Sequence, residues 1–254
     1  RLGLSVHAAQ ELGIYRQLQT LFLTNDLTGC SELCSLFLRD DYRHSNNGSL
    51  LSKSRLLFLA EFRERFAERV IAEMRGVSDA QGRSPFWDSL GQHFFRMAFS
   101  QADYLSGVGD KSFIAELMPQ HPVYSALLPE DARAVIGEVH PHTRPALAML
   151  KSEGFQDSGY VDIFDAGPTV ITPLAQIRAV RESDVYPLLA GAVNEGELWL
   201  LCNRNLVNFR VCLSPVLYCE DALQVPAETL QRLQLAAGDT VRAVPLVAQR
   251  KDKT

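Results

Sequence analysis

A strand-like run, a polar turn and a long amphipathic pattern follow one another in residues 31–66, and this order restricts the possible folds most strongly. The strand-like run is SELCSLFLRD, residues 31–40, which alternates and is rich in strand formers. From Leu50 to Phe66 the apolar residues recur at helical spacing. The turn between them reads RHSNNGS, and its Asn, Gly and Ser residues tolerate unusual backbone angles. A strand that turns directly into a helix is typical of an α/β layer.

Further strand and helix patterns extend the layer. The run RVIAEMRGV in residues 69–77 predicts a buried strand, and Ser84 followed by Pro85 predicts the start of a helix. Residues 129–155 predict two helices broken at HPHTRP, and residues 160–168 predict a strand that ends in a turn. Together these patterns predict a mixed sheet flanked by helices.

Three further predictions concern segments with a weaker strand or helix pattern. Residues 8–18 indicate a helical patch, and Glu61 lies four residues before Arg65, a spacing that favours an ion pair on a helix. Residues 102–119, ADYLSGVGDKSFIAELMP, are interpreted as a flexible loop, because the two glycines do not follow a strand in the order of a phosphate-binding fingerprint.

The sequence changes character after Pro168. Short alternating runs such as GELWLLCN and NFRVCLSPVLY are separated by turns, and a short helix is predicted to stop at Gly238. We therefore predict a small β-rich, barrel-like module. The predicted domains are residues 1–170, an α/β region, and residues 171–254, the β-rich module. Residues 206–218 would form an exposed apolar edge if nothing covered them, which favours an oligomer.

Composition excludes several classes of function. The 254 residues are 46% hydrophobic and 22% charged, with a net charge of −5, so no basic field indicates nucleic acid or an anionic membrane. No apolar run reaches the ~18 residues that span a bilayer. Five cysteines without a CxxC pair favour a reducing, cytoplasmic compartment and argue against a metal site. Because the chain begins at Arg1 without Met, we expect the natural N-terminus to lie upstream, with a processed start as the alternative.

The turn before the helix has features that favour the binding of an anion. A helix N-terminus offers about four unpaired N–H groups and the positive end of the helix dipole. Asn46, Asn47 and Gly48 can adopt positive φ at low cost, and Ser49 is small enough to let a ligand approach. The turn could wrap a phosphate or a diphosphate, although a polar strand-to-helix turn without a ligand remains an alternative.

The turn also resembles the acyl-CoA motif of the GNAT acyltransferase superfamily, Arg/Gln-x-x-Gly-x-Gly/Ala. This chain has Arg43-x-x-Asn46-x-Gly48, with Asn where the superfamily has Gly. Longer runs are more specific. The runs SELCSLFL, LLSKSR, VIAEMRGVSDAQGRSPFWDSLG, FIAELMPQHPVY, VIGEVHPHTRPA and YVDIFDAGPT together resemble the arginine N-succinyltransferase family.

This resemblance implies a GNAT-like α/β (α+β) fold whose N-terminal strands and helices are missing here. It also implies an enzyme of arginine breakdown that transfers succinyl from succinyl-CoA to the α-amine of L-arginine. Leu36 would contribute to succinyl-CoA binding through its backbone, with Ser35 beside it. The residues implied to hold the diphosphate are Arg43, Asn47, Gly48 and Ser49.

The resemblance assigns His140 as the proton donor. A histidine can give or take a proton near neutral pH, and the following Pro141 restricts its backbone. His142, two residues on, is the rival candidate. Cys34 on the predicted strand leaves an acyl-cysteine intermediate open, but direct transfer fits the adjacent turn better.

Two substrate charges require partners. The guanidinium of arginine requires carboxylates, and the succinyl carboxylate requires a cation, for which we propose Arg75. The candidate carboxylates are Glu73, Glu116, Asp162 and Asp165.

Two alternatives stay open: a succinyltransferase subunit that prefers ornithine or another amine, and a non-catalytic acyl-CoA-binding partner subunit. In either case we expect small-molecule substrates, no metal, and a homo-oligomer or a hetero-oligomer with a paralogous subunit.

Overall fold

The computed structural model describes residues 1–109 and 112–248, and these divide into two compact units. The first unit contains Arg1–Glu32, Ile71–Ala148 and Gln156–Ile171. The second contains Leu33–Val70, Met149–Phe155 and the chain from Thr172 onward. Each unit is thus built from three separate stretches of chain, and the predicted boundary at residue 170 stays a prediction.

The first unit begins with a β-hairpin. Strands β1 (Leu2–Ala9) and β2 (Ile14–Leu21) pair antiparallel, and β5 (Val123–Tyr124) extends the sheet in the order β1–β2–β5. Gly13, at φ 61°, ends the short 3₁₀ turn between the two strands. The helical patch predicted for residues 8–18 is therefore wrong, because cross-strand pairing decides the backbone of this segment.

A second sheet has the strand order β3–β4–β7–β6. Its strands are β3 (Ser31–Glu32), β4 (Arg69–Glu73), β6 (Gln156–Val161) and β7 (Pro168–Pro173). The predicted strand at residues 69–77 is present as β4, and Gly76 continues it as a single antiparallel bridge to Val139. The predicted strand at residues 31–40 is mostly wrong, since only Ser31–Glu32 pairs.

Short helices complete the first unit. They are α2 (Gln92–Phe95), α3 (Phe99–Val108), α4 (Ser112–Leu117), α5 (Glu130–Ala134) and α6 (Arg144–Ser152), of which α6 ends in the second unit. A π-helical turn, Trp87–Gly91, precedes α2, and the Ser84 hydroxyl accepts from the Trp87 N–H. The loop predicted at residues 102–119 is wrong, because α3 and α4 occupy most of it; Asp110 and Lys111 lie outside the described residues.

Aromatic packing explains why this segment is helical. The Trp87 ring is fully buried, lies 5.1 Å from the Phe95 ring and 5.4 Å from the Phe164 ring, and its indole N–H donates to the Met97 carbonyl. Burial of each large ring contributes about 2 kcal/mol. Ala102 on α3 is fully buried in the same cluster, so tertiary packing stabilises a helix that local composition did not indicate.

Helix α1 (Asn47–Glu61) dominates the N-terminal part of the second unit. It begins three residues before Leu50, so Asn47, Gly48 and Ser49 form its first turn. The predicted Glu61–Arg65 pair is absent from the ion pairs of the described residues, since Glu61 bonds Arg204 and Arg242 instead. The helix α7 (Arg178–Glu182) also belongs to this unit.

The predicted barrel is present in the C-terminal part. Five strands close in the order β10–β11–β8–β12–β9. They are β8 (Asp184–Ala190), β9 (Glu197–Cys202), β10 (Val211–Cys219), β11 (Ala222–Val225) and β12 (Thr240–Pro245). Leu188, Leu201 and Leu223 are fully buried in its core.

The barrel differs from prediction in two details. From the sequence, residues 206–218 would be an exposed apolar edge if nothing covered them. Residues 211–218 are not a free edge, because β10 pairs with β9 on one side and with β11 on the other. Helix α8 (Ala227–Leu233) ends at Gln234, which adopts φ 56°, four residues before the predicted stop at Gly238.

Candidate functional site

The first unit contains a cavity of about 460 Å³ whose wall carries three carboxylates. Its lining includes Glu73, Asp103, Asp162, Tyr160, Phe86 and Phe164. The rest of the wall combines aromatic and aliphatic side chains with polar ones, Arg1 among them. Acidic groups beside apolar surface suit a ligand with an aliphatic stem and a cationic end. Of the four carboxylates predicted to bind guanidinium, Glu73 and Asp162 line the cavity, whereas Glu116 and Asp165 are not among the lining residues.

Two predicted site residues, one at the end of strand β4 and one just beyond it, lie on the same side of the chain. Glu73 and Arg75 alternate with the buried Ala72, Met74 and Gly76 and are themselves exposed. The Arg75 guanidinium donates to the Ser78 hydroxyl at 2.7 Å. Glu73 therefore faces the cavity, while Arg75 lies two residues further along the same face.

Asp162 lies at the start of the turn that joins β6 to β7. Its Oδ1 accepts the Phe164 N–H at 2.7 Å and the Asp165 N–H at 3.1 Å, which fixes the carboxyl at the cavity wall. Burial raises the pKa of Asp162 to about 7, and the negative charges of Asp165 and Glu73 add to the rise. Asp162 can therefore change its charge near neutral pH.

Asp165 has a structural position in the same turn. Its two carboxylate oxygens accept the Gly76 N–H at 2.7 Å and the Gly167 N–H at 2.8 Å, and only 8% of the residue is exposed. A Cβ on Gly76 would clash with the Asp165 carbonyl oxygen, so the close approach requires glycine. A carboxylate that accepts two hydrogen bonds from backbone N–H groups is suited to stabilising the turn rather than to binding a guanidinium.

His140 is held against strand β4 by its own backbone. Its N–H donates to the Arg75 carbonyl at 2.8 Å, and its ring Nδ1 accepts the His142 N–H at 3.2 Å. Since a backbone N–H can only donate, Nδ1 carries no proton, and the neutral ring holds its proton on Nε2. Burial lowers the pKa of His140, as do the Arg75 and His142 charges, against an opposing effect of Asp165.

The second unit contains the turn that precedes α1. Arg43 Nε donates to the Leu38 carbonyl at 3.1 Å and its Nη1 pairs with Asp40 at 2.8 Å, while the Asn47 amide donates to the Tyr42 carbonyl at 3.1 Å. The expected positive φ at Asn46 is wrong: Asn46 has φ −103°, and Ser45 adopts φ 53° instead. The left-handed residue therefore lies one position earlier than the motif predicts.

The first turn of α1 has features of an anion site. No side chain caps it, and it contains no acidic residue. The Ser49 hydroxyl is 3.9 Å from the Met149 sulfur. Fifteen residues of helix give a full dipole at this end, so an anion here would meet backbone N–H groups and positive potential.

An apolar cavity of about 430 Å³ adjoins this turn within the second unit. It is lined by Leu38, Tyr42, Asn47, Leu50, Phe209 and Val211, among others. Asn47 thus belongs both to the first turn of α1 and to the cavity wall. The arrangement suits a ligand that joins an anionic group to an apolar one.

The segment that leads to the turn carries Ser35 and Leu36. Residues 33–39 lie in no strand or helix, Ser35 adopts φ 53°, and Leu36 is 38% exposed. An exposed backbone that is not held in a sheet is able to bond a ligand, and the role of both residues stays a prediction.

Within residues 1–109 and 112–248, no group of three or more His, Cys, Asp or Glu is placed to hold a metal ion. Across the same residues, none of the helices has both the length and the apolar character needed to cross a membrane.

Family models cover nearly the whole chain. Residues 1–179 match the model described as arginine N-succinyltransferase beta subunit, and residues 185–245 match the model of its C-terminal domain. The chain is 57% identical over 252 residues to the arginine N-succinyltransferase subunit beta of Pseudomonas aeruginosa, covering 99% of this chain and 74% of that protein. An arginine N-succinyltransferase of Yersinia pseudotuberculosis is 51% identical, with coverage of 98% and 73%.

This chain belongs to the arginine N-succinyltransferase beta subunit family. A solved structure agrees: the arginine/ornithine succinyltransferase subunit AI from Pseudomonas aeruginosa has a TM-score of 0.87 and 34% identity, covering 98% of this chain and 72% of that one. The predicted family, the mixed α/β fold with a small C-terminal barrel, and the prediction of an acyl-transferring enzyme are confirmed.

Most of the residues that line the cavity are not among the predicted site residues, and Asp103 and Tyr160 are the two with the clearest polar role. Asp103 lies in the segment for which the sequence predicts a loop, and Tyr160 lies in a predicted strand. The Tyr160 hydroxyl donates to Asp26 at 2.9 Å. Apolar residues at helical spacing, Phe99, Ala102 and Leu105, surround the acidic Asp103, and this pattern is the available signal for a helix with a polar face.

Proposed function

We propose that this chain transfers the succinyl group of succinyl-CoA to the α-amine of L-arginine, giving N2-succinyl-L-arginine and free CoA. The observation that carries the proposal is the carboxylate-lined cavity of the first unit in a chain of this family. Glu73 and Asp162, joined by Asp103, offer the negative charge that a guanidinium requires, and the apolar part of the wall suits its methylene stem.

The chemistry needs one bond made and one broken. The neutral α-amine attacks the thioester carbonyl carbon, the C–N bond forms, and the C–S bond breaks to release the CoA thiolate. One proton leaves the amine and one reaches the thiolate. We assign the second transfer to His140. The neutral ring, which holds its proton on Nε2 because Nδ1 accepts the His142 N–H, takes up the proton that the amine loses and, as imidazolium, gives one to the thiolate.

The donor would be held by the second unit. Arg43 and the N–H groups of Asn47, Gly48 and Ser49 would bind the diphosphate of the acyl-CoA at the positive end of α1. Ser35 and Leu36 would contact the acyl end through backbone. Arg75, in the first unit, is our candidate for the succinyl carboxylate.

A product assay tests the proposal directly. The purified protein is incubated with succinyl-CoA or acetyl-CoA and with arginine, ornithine, lysine or no amine, and the products are followed by mass. We expect one succinyl group added to arginine, and only with succinyl-CoA. CoA ester that is bound but never consumed would overturn the proposal and favour a non-catalytic partner subunit.

Ornithine is the second candidate acceptor. The solved relative is described as an arginine/ornithine succinyltransferase subunit, and a cavity lined by carboxylates also accepts the ammonium group of ornithine. Faster succinylation of ornithine than of arginine in the same assay would keep the mechanism and change the substrate.

Assembly with other subunits is also proposed. Two of the relatives are described as subunits, one beta and one AI. We propose that this chain works in a homo-oligomer or with a paralogous subunit, in the cytoplasm, and sedimentation of the purified protein alone and with its paralogue would measure the state.

A further inference from the structure

A buried carboxylate outside the proposed chemistry connects three parts of the second unit. Glu153 follows α6, and its side chain is 1% exposed. Its Oε1 lies 3.0 Å from Lys53 Nζ and 2.8 Å from Arg178 Nη2, and its Oε2 accepts the Ala179 N–H at 3.0 Å. A buried carboxylate with this many donors is held in one orientation.

The two cations are anchored in turn by the end of the barrel. Lys53 Nζ donates to the Leu246 carbonyl at 2.8 Å, and Arg178 Nη1 donates to the Pro245 carbonyl at 3.1 Å. The Lys53 and Arg178 side chains are 11% and 6% exposed. Because the charges and polar groups satisfy one another, removal of one partner leaves another uncompensated in a buried place.

Lys53 lies on the helix whose first turn carries the proposed anion site. It is six residues beyond Asn47, which is about 9 Å along the axis at 1.5 Å per residue. Lys53 therefore makes buried polar contacts close to this turn. At the turn itself, Ser49 contacts Met149. The bonds that Lys53 makes to Glu153 and Leu246 hold this part of α1, and they therefore set the orientation and the axial position of its first turn.

We propose that Glu153 and Lys53 are positioning residues that fix the first turn of α1 and so set the affinity for the diphosphate of the acyl-CoA. The inference rests on the proposed function, in which that turn binds the diphosphate. Neither residue touches the donor; both act through α1. Helix-terminus interactions with an anion are sensitive to distance and alignment, so a small displacement of the turn weakens binding.

The test compares two succinyl donors, one with a diphosphate and one without. In Lys53→Met, Glu153 keeps Arg178 and the Ala179 N–H, while α1 loses its bonds to Glu153 and to the Leu246 carbonyl. We expect the KM for succinyl-CoA to rise about fivefold to tenfold with kcat little changed. With succinyl-pantetheine, which lacks the diphosphate, we expect kcat/KM to stay within about twofold of the parent value.

Glu61→Gln is the matched control on the same helix. The Glu61 side chain is 6% exposed and also makes two ion pairs, to the half-exposed Arg204 and to the part-buried Arg242 at 2.8 Å each. It lies 14 residues beyond Asn47, about 21 Å along the axis. This variant should lose thermal stability while keeping the ratio of the two donors. Lys53→Gln, whose amide can still donate to Glu153, should recover part of the loss and serves if Lys53→Met does not fold.

The outcomes separate the inference from the function it rests on. Equal losses with both donors in Lys53→Met, or an equal change of donor ratio in Glu61→Gln, would overturn the positioning role alone. Parent protein that neither binds CoA nor uses succinyl-CoA would overturn the proposed function and this inference with it.

Discussion

The two candidate binding regions differ in the sign of the charge they offer. In the first unit, the side chains of Glu73, Asp103 and Asp162 place negative charge around a cavity. In the second unit, the uncapped start of α1 presents backbone N–H groups and the positive end of a dipole. One region suits a cationic amino acid and the other an anionic cofactor.

The regions also differ in how they are built. The anion site uses a continuous stretch of chain, residues 43–49, and needs only a turn and a helix start. The carboxylate cavity joins residues that are far apart in sequence, and it depends on buried turns in which Asp165 bonds Gly76 and Gly167. A contiguous site is a local motif, whereas an assembled site depends on tertiary packing. Substitutions in the cavity should therefore change the KM for arginine, whereas substitutions at the start of α1 should change the KM for succinyl-CoA.

The largest expected effect is on chemistry and belongs to neither binding region. His140→Ala should lower kcat by about 100-fold or more, because a positioned acid–base group contributes at least that factor, with both KM values changing little. Steady-state kinetics with each substrate varied measures this. His142→Ala, which keeps the backbone N–H that bonds Nδ1, is the control; loss of turnover in that variant with an active His140→Ala would reverse the assignment.

The next effect should fall on the acceptor alone. Glu73→Gln removes one negative charge from the cavity, and the lost charge-assisted bond of about 2 kcal/mol should raise the KM for arginine roughly 30-fold while the KM for succinyl-CoA stays constant. Glu116→Gln is the matched control, because Glu116 is exposed and is not among the residues that line the cavity. A rise in the KM for both substrates would contradict the proposal that the cavity binds arginine alone.

The raised pKa of Asp162 predicts a pH effect on arginine binding. With a pKa of about 7, the ionised fraction of Asp162 grows about tenfold from pH 6 to pH 8. Arginine affinity, measured by calorimetry, should therefore rise by up to about tenfold over this interval. Asp162→Asn should flatten the profile; the same step in that variant would assign it to another group.

The same shift has a consequence for stability. Because the pKa of Asp162 is higher in the folded protein than in the unfolded chain, the folded state binds more protons between about pH 4 and pH 7. The contribution of this group to the free energy of unfolding should thus fall as pH rises through that interval. Denaturant unfolding of the parent and of Asp162→Asn measures the difference.

The smallest effect should concern the choice of donor. Arg75 is exposed and bonded to Ser78, so its charge is partly screened by solvent. Arg75→Ala should lower the preference for succinyl-CoA over acetyl-CoA by about threefold to tenfold. Arg83→Ala, which removes an exposed arginine paired with Asp79, is the control. Unchanged preference in Arg75→Ala would show that another cation selects the succinyl group.

The sequence by itself determined the local features of this protein: helix α1, strand β4, the Ser84–Pro85 helix start and the alternating strands of the barrel. Each shows its hydrophobic period or its capping residue along the chain itself, so periodicity and capping residues predict it. The resemblance carried by several long runs identified the family. The turn at residues 43–49 was predicted as well, apart from which residue adopts positive φ.

Tertiary structure decided the rest. Residues 8–18 pair as a hairpin and residues 33–39 leave the sheet, although their local patterns favour a helix and a strand, because cross-strand partners and packing outweigh propensities of a few tenths of a kcal/mol per residue. The cavity that unites Asp103 with Glu73 and Asp162, and the burial that raises the pKa of Asp162, exist only once distant segments meet. No local pattern encodes them, since desolvation depends on every group that surrounds a carboxyl.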